Sequence, residues 1–267
     1  MNTDPKDFTA IVLAADREAD NPVAKATGVR CKSLAPINGT PMLFRVLEAL
    51  SRSSKVKDKL LCGPPKNIID QEPKLTECIV SGKAEWIANQ ATPSLSAHEA
   101  MKSLPQDSAI LLTTSDHALL TPQIVDFFCN EAQGSECDVV VALARHETVM
   151  AAYPETSRTA YRFKDDAYCS CNLFAFLTPH ARTVPSFWRR VEQQRKKPLR
   201  VISMLGWSTV LLYVLRRLTL SEAVNRISKR LGCRVGIVVI PYPEAAIDVD
   251  SVEDLHLVQK IAEKNRV

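Results

Sequence analysis

Four acidic side chains and one basic loop carry the residue types that could do chemistry. Asp116 follows the apolar run Ala109-Ile-Leu-Leu-Thr-Thr114, with Ser115 between and His117 behind. A carboxylate at the tip of a buried strand, just before a loop, stands where a hard cation with oxygen ligands is held. The alternative is a carboxylate that caps the N–H groups of its own loop, and His117 reads as a loop residue rather than a ligand. Towards the C-terminus, Asp248-Val-Asp250-Ser-Val-Glu253-Asp254-Leu255 spaces two carboxylates so that an extended segment places Asp248 and Asp250 on one face. Ser251 as an N-cap, with Glu253 and Asp254 in the first helical turn, accounts for the rest of that segment. Capping leaves Asp248 and Asp250 unexplained. Near the N-terminus the stretch from Asp16 to Arg30 carries Asp16, Arg17, Lys25 and Arg30 and runs into Lys32. Long charged loops inside compact domains are usually functional or disordered.

The elements that position these residues alternate along the chain. Phe8-Thr-Ala-Ile-Val-Leu-Ala-Ala15 is a short, β-branched apolar run, the pattern of a strand buried on both faces of a parallel sheet, and ligands gather at the carboxyl ends of such strands. Asn38-Gly39-Thr40-Pro41 then opens an amphipathic helix from Met42 to Leu50. Lys57 to Cys62, Ala84 to Ala88, Cys137 to Ala144 and Arg234 to Ile240 read as further strands. A helix is predicted from Ala97 to Leu104, another after Thr121-Pro122, and a third at Thr219, where Glu222 completes a capping box. Tyr161-Arg-Phe and Tyr168 to Phe176 flank the turn Asp165-Asp166 and predict a hairpin antiparallel to the main sheet.

Composition narrows the classes. The 267 residues are 46% hydrophobic and 24% charged, ordinary for a globular chain, and one domain over residues 1–267 is the economical reading. A net charge of +4, with basic residues dispersed except at Arg195-Lys-Lys197, does not indicate a nucleic-acid surface. The eight cysteines read as free thiols of a cytoplasmic protein, since the N-terminus Met1-Asn-Thr-Asp-Pro-Lys-Asp7 is not a secretory signal. Cys169-Ser-Cys171 lacks the spacing and the second pair of a zinc site. Val201 to Leu215 is apolar but shorter than the roughly twenty residues that span a bilayer. Flanked by Arg195 to Arg200 and by Arg216-Arg217, it suits a peripheral position at a lipid surface or a lipid-linked acceptor. The other reading is a helix buried on the sheet or in a homodimer interface, and residues 182–232 form the variable acceptor or interface region.

The segment Cys31-Lys-Ser-Leu-Ala-Pro-Ile-Asn-Gly-Thr-Pro-Met-Leu43 resembles the Lys-x-Leu-x-Pro-Ile-x-Gly-x-Pro-Met-Leu pattern of the MobA-like nucleoside triphosphate transferases, related to molybdopterin guanylyltransferase. Lys32, Leu34, Pro36, Ile37, Gly39, Pro41 and Met42 all match it. The closing Asp248-Val-Asp-Ser-Val-Glu-Asp-Leu255 is similar to the family's terminal Asp-Ile-Asp-Thr-Pro-Glu-Asp-Leu. The resemblance implies a three-layer α/β/α sandwich with a Rossmann-like, mostly parallel sheet, of the type shared with nucleotide-sugar glycosyltransferases. It implies transfer of a nucleoside monophosphate from a nucleoside triphosphate to a phosphorylated small-molecule or lipid-linked acceptor, with release of pyrophosphate. Asp116, with Asp248 or Asp250, would hold Mg2+. Leu13, Ala14, Ala15, Asp16 and Arg17 would border the triphosphate, Lys32 would offset its charge, and Ser94 and Ser96 would meet base or ribose unless they cap the helix that follows. Arg145 and Asn172 would face the acceptor.

One departure stands out. The family opens its first loop with Leu-x-x-Gly-x-Gly-x-Arg, whose glycines let backbone N–H groups approach the phosphates; here the stretch is Leu13-Ala-Ala-Asp-Arg-Glu. Asp16 beside a triphosphate repels it unless a cation intervenes. Two rivals therefore stay open: a nucleotide-sugar glycosyltransferase, and a catalytically inactive nucleotide-binding protein.

Overall fold

In the computed structural model, residues 7–16, 20–184 and 206–264 are described. Among these the strands are β1 (Phe8–Leu13), β2 (Pro36–Ile37), β3 (Thr40–Pro41), β4 (Val56–Cys62), β5 (Glu85–Ile87), β6 (Ala109–Thr114), β7 (Val139–Arg145), β8 (Tyr161–Arg162), β9 (Ala167–Phe176) and β10 (Val235–Val239). β2 and β3 form a small hairpin of their own, and the others make one sheet in the order β10-β7-β9-β6-β1-β4-β5, with β8 paired to β9. β1 runs parallel to β4 and β6, and β7 parallel to β10. The predicted hairpin forms, with Tyr161 opposite Tyr168. Its second strand is not an appendage: β9 enters the middle of the sheet, antiparallel to both β6 and β7. It can do so because Cys169, Cys171, Leu173 and Ala175 are all buried, giving a strand that suits a central position.

Alternation along the strands builds two apolar layers. Ala10 and Val12 of β1 join Met42, Leu43, Val46 and Leu50 of the Met42–Arg52 helix, Phe128 of the Pro122–Gly134 helix, and Leu255 and Val258 of the Val252–Lys264 helix. Ile11, Ile110 and Leu112 turn the other way, against Ala97, Ala100 and Met101 of the Pro93–Ser103 helix and Val224 and Ile227 of the Leu220–Leu231 helix. This is the expected three-layer α/β/α sandwich. Leu43 and Leu50 are fully buried, so truncating either to alanine costs about 2 to 5 kcal/mol. That packing holds the carboxyl ends of β1, β4 and β6 in one register, from Leu13 beside both Cys62 and Thr114.

Several local readings change. The stretch from Asp16 to Arg30 is not all loop: Pro22–Thr27 is a helix, capped by the Asn21 side chain at its start and closed by Gly28 at φ 68°. The helix predicted from Ala97 begins at Pro93, because Thr92 caps it and proline takes the first turn. Thr219 and Glu222 form their capping box. All eight cysteines are free. The Trp207–Val214 helix presents an apolar face to solvent instead of burying it. Its predicted beginning at Val201, and the segment around Phe187-Trp188, lie outside the described residues. Among the described residues no helix is long and apolar enough to cross a membrane.

Candidate active site

The sheet order reverses at β1, which has β4 on one side and β6, reached later in the chain, on the other. Such a switch point leaves a crevice beyond the carboxyl ends of the strands. Ala14 N–H donates to Cys62 O and Ser115 N–H to Leu13 O, so the loops after β1, β4 and β6 leave the sheet side by side. Between them lies a cavity of about 310 Å³ lined by Leu13, Ala15, Asp16, Lys32, Asp116 and Asp250, among others.

Lys32 reaches this cavity from a single 3₁₀ turn, Lys32–Leu34, which leads into the β2–β3 hairpin. Asn38 at φ 50° and Gly39 at φ 83° make the two-residue turn with both residues left-handed, the geometry that an Asn-Gly pair favours. The Asn38 side chain donates to Gln259 O, and the Gln259 side chain to Pro36 O, tying the hairpin to the last helix. The motif around Pro36 to Met42 is therefore a rigid mount for the lysine. The Lys32 ammonium donates to Asp116 Oδ2 at 2.5 Å, to Val249 O at 3.0 Å and to Asp250 Oδ1 at 3.3 Å. Val249 N–H in turn donates to Asp116 O, which pins the closing segment against the β6 loop.

Burial alone would lower the Lys32 ammonium pKa, but the Asp116 and Asp250 carboxylates outweigh it and hold it above its ordinary value. Burial likewise works to raise Asp116, and the Lys32 charge more than offsets it, leaving the carboxyl below its usual range. The two are an ion pair at neutral pH. Behind them His117 is fully enclosed, and burial pushes its pKa down to about 4 against the opposing pull of the Asp116 charge and the Ala245 backbone. It is neutral.

Asp16 lines the same cavity, with both carboxylate oxygens accepting from Lys32 N–H, at 2.9 and 3.1 Å. Burial raises its pKa, against the lowering effect of that N–H. The carboxylate thus clips the loop after β1 to the turn that carries Lys32. Gly63, at φ +78°, stands directly after β4, and a Cβ there would lie 3.0 Å from Ala15 Cβ, so the glycine lets the loops after β1 and β4 approach closely.

Asp248 and Asp250 do not act as a pair. Asp250 is 69% exposed and faces Lys32, whereas Asp248 is enclosed and ion-paired to the Arg158 guanidinium. Arg158 also donates to Asp248 O and, at 2.9 Å, to Asp254 Oδ1. Asn172 donates to Asp248 Oδ2 at 2.6 Å, from a left-handed backbone with φ 48°. Asp254 Oδ2 accepts from Ser251 N–H, and Ser251 Oγ accepts from Asp254 N–H, the reciprocal cap read from the sequence. Two carboxylates, one guanidinium and one amide close on themselves.

The remaining expected residues scatter around this centre. Arg145 ends β7 and pairs with Asp166 of the hairpin turn at 2.8 Å, on the surface. Ser94 and Ser96 are not the helix cap, a position Thr92 takes. The Ser94 hydroxyl pairs with that of Thr92, and Ser96 Oγ accepts from Gln90 N–H. Ser96 also lines a cavity of about 40 Å³ that shares Leu13, Ala15 and Asp16 with the larger one. Arg17 lies outside the described residues. Sequence reasoning missed Arg158 and Gly63. The one available signal for Arg158 was that a carboxylate left over from capping, if buried, needs a cation.

Asp116 Oδ2, Val249 O and Asp250 Oδ1 converge on one point, now held by the ammonium, and Asp116 Oδ1 is buried without a hydrogen-bond partner. This hard oxygen set fits a magnesium ion, which typically takes one or two carboxylates and completes its shell with water and phosphate oxygens. No three His, Cys, Asp or Glu side chains among the described residues stand close enough to cage an ion unaided.

The fold has known counterparts. A hypothetical transferase from Thermus thermophilus is similar at 29% identity and a TM-score of 0.76, covering 93% of this chain and 99% of that one. A 4-diphosphocytidyl-2C-methyl-D-erythritol synthase from Anaerococcus prevotii shares the fold at 14% identity and TM-score 0.58, with 97% of each chain covered. A CMP:2-keto-3-deoxy-manno-octonic acid synthetase complexed with CTP does so at 14% identity and TM-score 0.56, over 97% of this chain and 99% of that one. Comparison with curated proteins gives no match. The model of the MobA-like NTP transferase domain matches residues 10–235, and the chain belongs to that family.

Proposed function

We propose that the protein is a magnesium-dependent nucleotidyltransferase acting on a phosphorylated acceptor. An acceptor phosphate oxygen attacks the α-phosphorus of a nucleoside triphosphate. A new P–O bond forms, the bond between the α-phosphorus and its bridging oxygen to the β-phosphate breaks, and pyrophosphate leaves with the electron pair. The observation that carries this reading is the meeting of Lys32 and Asp116 at the switch-point crevice, with Asp250 beside them. Such chemistry is mainly positioning and charge neutralisation.

Leu13, Ala14, Ala15 and Asp16 form the wall along which the triphosphate lies, with Ser94 and Ser96 at its nucleoside end. Lys32 binds phosphate oxygens. Magnesium, when bound, neutralises phosphate charge and orients the reacting oxygens; Asp116 and Asp250 are the carboxylates placed to hold it. Asp248 shapes the wall through Arg158 and Asn172. Arg145 at the rim supplies a cation for the acceptor phosphate. The free thiols fit a reducing compartment such as the cytoplasm. Pyrophosphate release from a panel of triphosphates, with sugar phosphates and alcohol phosphates as acceptors, tests the reading. Release that requires both magnesium and an acceptor phosphate is expected. Glycosyl transfer from a nucleotide sugar, or no turnover with any pair, would overturn it.

A further inference from the structure

The Trp207–Val214 helix is amphipathic in an unusual sense, because both of its sides are accounted for and one of them is apolar and bare. Trp207, Leu211, Val214 and Leu215 recur at helical spacing and are 80%, 60%, 59% and 54% exposed. The opposite side is anchored. Thr209 is buried and accepts from Arg226 at 2.8 Å. Tyr213 accepts from Arg162 N–H through its hydroxyl and meets Phe163 edge-on at 5.8 Å between ring centres. The helix thus sits on the β8–β9 hairpin, whose Tyr168 pairs with Arg145 at the carboxyl end of β7. It holds its apolar face outward, on the side of the hairpin near the carboxyl end of β7.

The charge distribution identifies what that face meets. Residues 185–217 contain eight basic residues and one acidic, while the rest of the chain has 26 basic and 29 acidic. The rest of the chain taken together is net negative, so this segment supplies the protein's positive excess. Exposed Arg216 and Arg217 continue directly from Leu215. Trp and aliphatic side chains flanked by arginines suit the boundary between headgroups and acyl chains, where the rings insert and the guanidinium groups meet lipid phosphates. Nucleic acid offers the charge but not the hydrocarbon. A second copy set face to face would bring arginines against arginines. We propose that this helix, with Leu215, Arg216 and Arg217, docks the protein on the surface of an anionic phospholipid bilayer, lying in its plane because a helix of this length cannot span it.

Co-sedimentation of the full chain with vesicles of phosphatidylcholine, with and without phosphatidylserine, tests this. Binding is expected only with phosphatidylserine and weakens as salt rises. Arg216→Ala combined with Arg217→Ala should weaken it about 25-fold, from roughly fivefold for each basic residue near the surface. Leu211→Asp should weaken binding by at least about tenfold without changing Tm or triphosphate binding, since the side chain is exposed. Absence of binding, equal binding to neutral vesicles, or indifference to these substitutions would overturn the proposal. So would self-association of the wild type that Leu211→Asp abolishes, which would make the face an interface between copies of the chain.

Discussion

Two clusters of carboxylate and cation lie next to each other at the end of the same extended segment, and they differ in how far they open to solvent. In the first, Arg158 meets Asp248 and Asp254, and Asn172 takes a further oxygen of Asp248. In the second, Lys32 meets Asp116 and Asp250, and Asp250 stands in solvent. The first is closed and comes from three distant parts of the chain, at residues 158, 172 and 248–254. The second is open to a cavity. An enclosed cluster holds a fold together, whereas one that opens to a cavity can exchange partners, and only the second suits a ligand site.

The contrast predicts its largest effect on stability. Removing one partner of an enclosed ion pair leaves an uncompensated charge, so Arg158→Met should destabilise by about 3 to 5 kcal/mol, a Tm fall of roughly 10 °C in a chain of this size. Adding Asp248→Leu should restore most of the loss, because replacing both charges with apolar groups is often neutral. Thermal unfolding of the single and double variants decides this. A loss under about 1 kcal/mol for the single variant would place the cluster among ordinary surface pairs and erase the contrast.

Asp116→Asn probes the open cluster. Turnover with magnesium should fall by about 10²- to 10³-fold with folding nearly intact, as for loss of one transition-state stabilising group. Because the Asp116 carboxyl titrates below its ordinary 3.8, its pairing contributes fully above that value and disappears as pH falls through the lowered one. The Asn variant should lack that acid limb in a Tm profile. Wild-type rate would remove Asp116 from the chemistry.

Lys32→Met sharpens the same point. The ammonium sits where the three oxygens converge, so without nucleotide its removal should tighten Mn2+ binding about tenfold, about 1.4 kcal/mol. The same variant should bind triphosphate more weakly. Electron paramagnetic resonance titration gives the first result and calorimetry the second. Unchanged Mn2+ affinity would mean that the lysine and the metal do not share a position.

Legibility in the sequence followed locality. Strands and helix starts were readable because each depends on neighbouring residues: apolar runs, Thr121-Pro122, the Thr219 and Glu222 box. Lys32 and Asp116 were readable as individual residues because each ends or follows such an element. The fates of Asp248 and Asp250 were not, since spacing places both on one face and the choice between them is made by Arg158, ninety positions away from Asp248. The central place of β9 was equally hidden: a hairpin signal fixes the partner of β8 but says nothing of which strands flank the other edge. The exposure of Trp207 and Leu211 defeated the ordinary expectation that an apolar helix is buried, an expectation from composition with no information about what remains to be covered.

The smallest effect tests how Asp16 belongs to the open cluster. Its carboxylate lines the cavity yet is tied to Lys32 N–H, so it serves both as a clip and as a negative charge beside the proposed triphosphate. Asp16→Asn keeps an acceptor oxygen for the clip and removes the charge. In a cleft open to water one unit charge at about 4 Å is worth about 1 kcal/mol, so triphosphate binding should tighten about fivefold at neutral pH. Burial already raises the Asp16 pKa, so the wild-type carboxyl takes up its proton earlier than usual as pH falls. The gap between the two proteins should therefore close on acidification, before the ordinary carboxylate value of 3.8 is reached. Calorimetric titration of a triphosphate into both proteins across that range gives the comparison. A variant that binds more weakly at every pH would show that the carboxylate is needed for its clip or for a cation, and that its charge does not oppose the ligand.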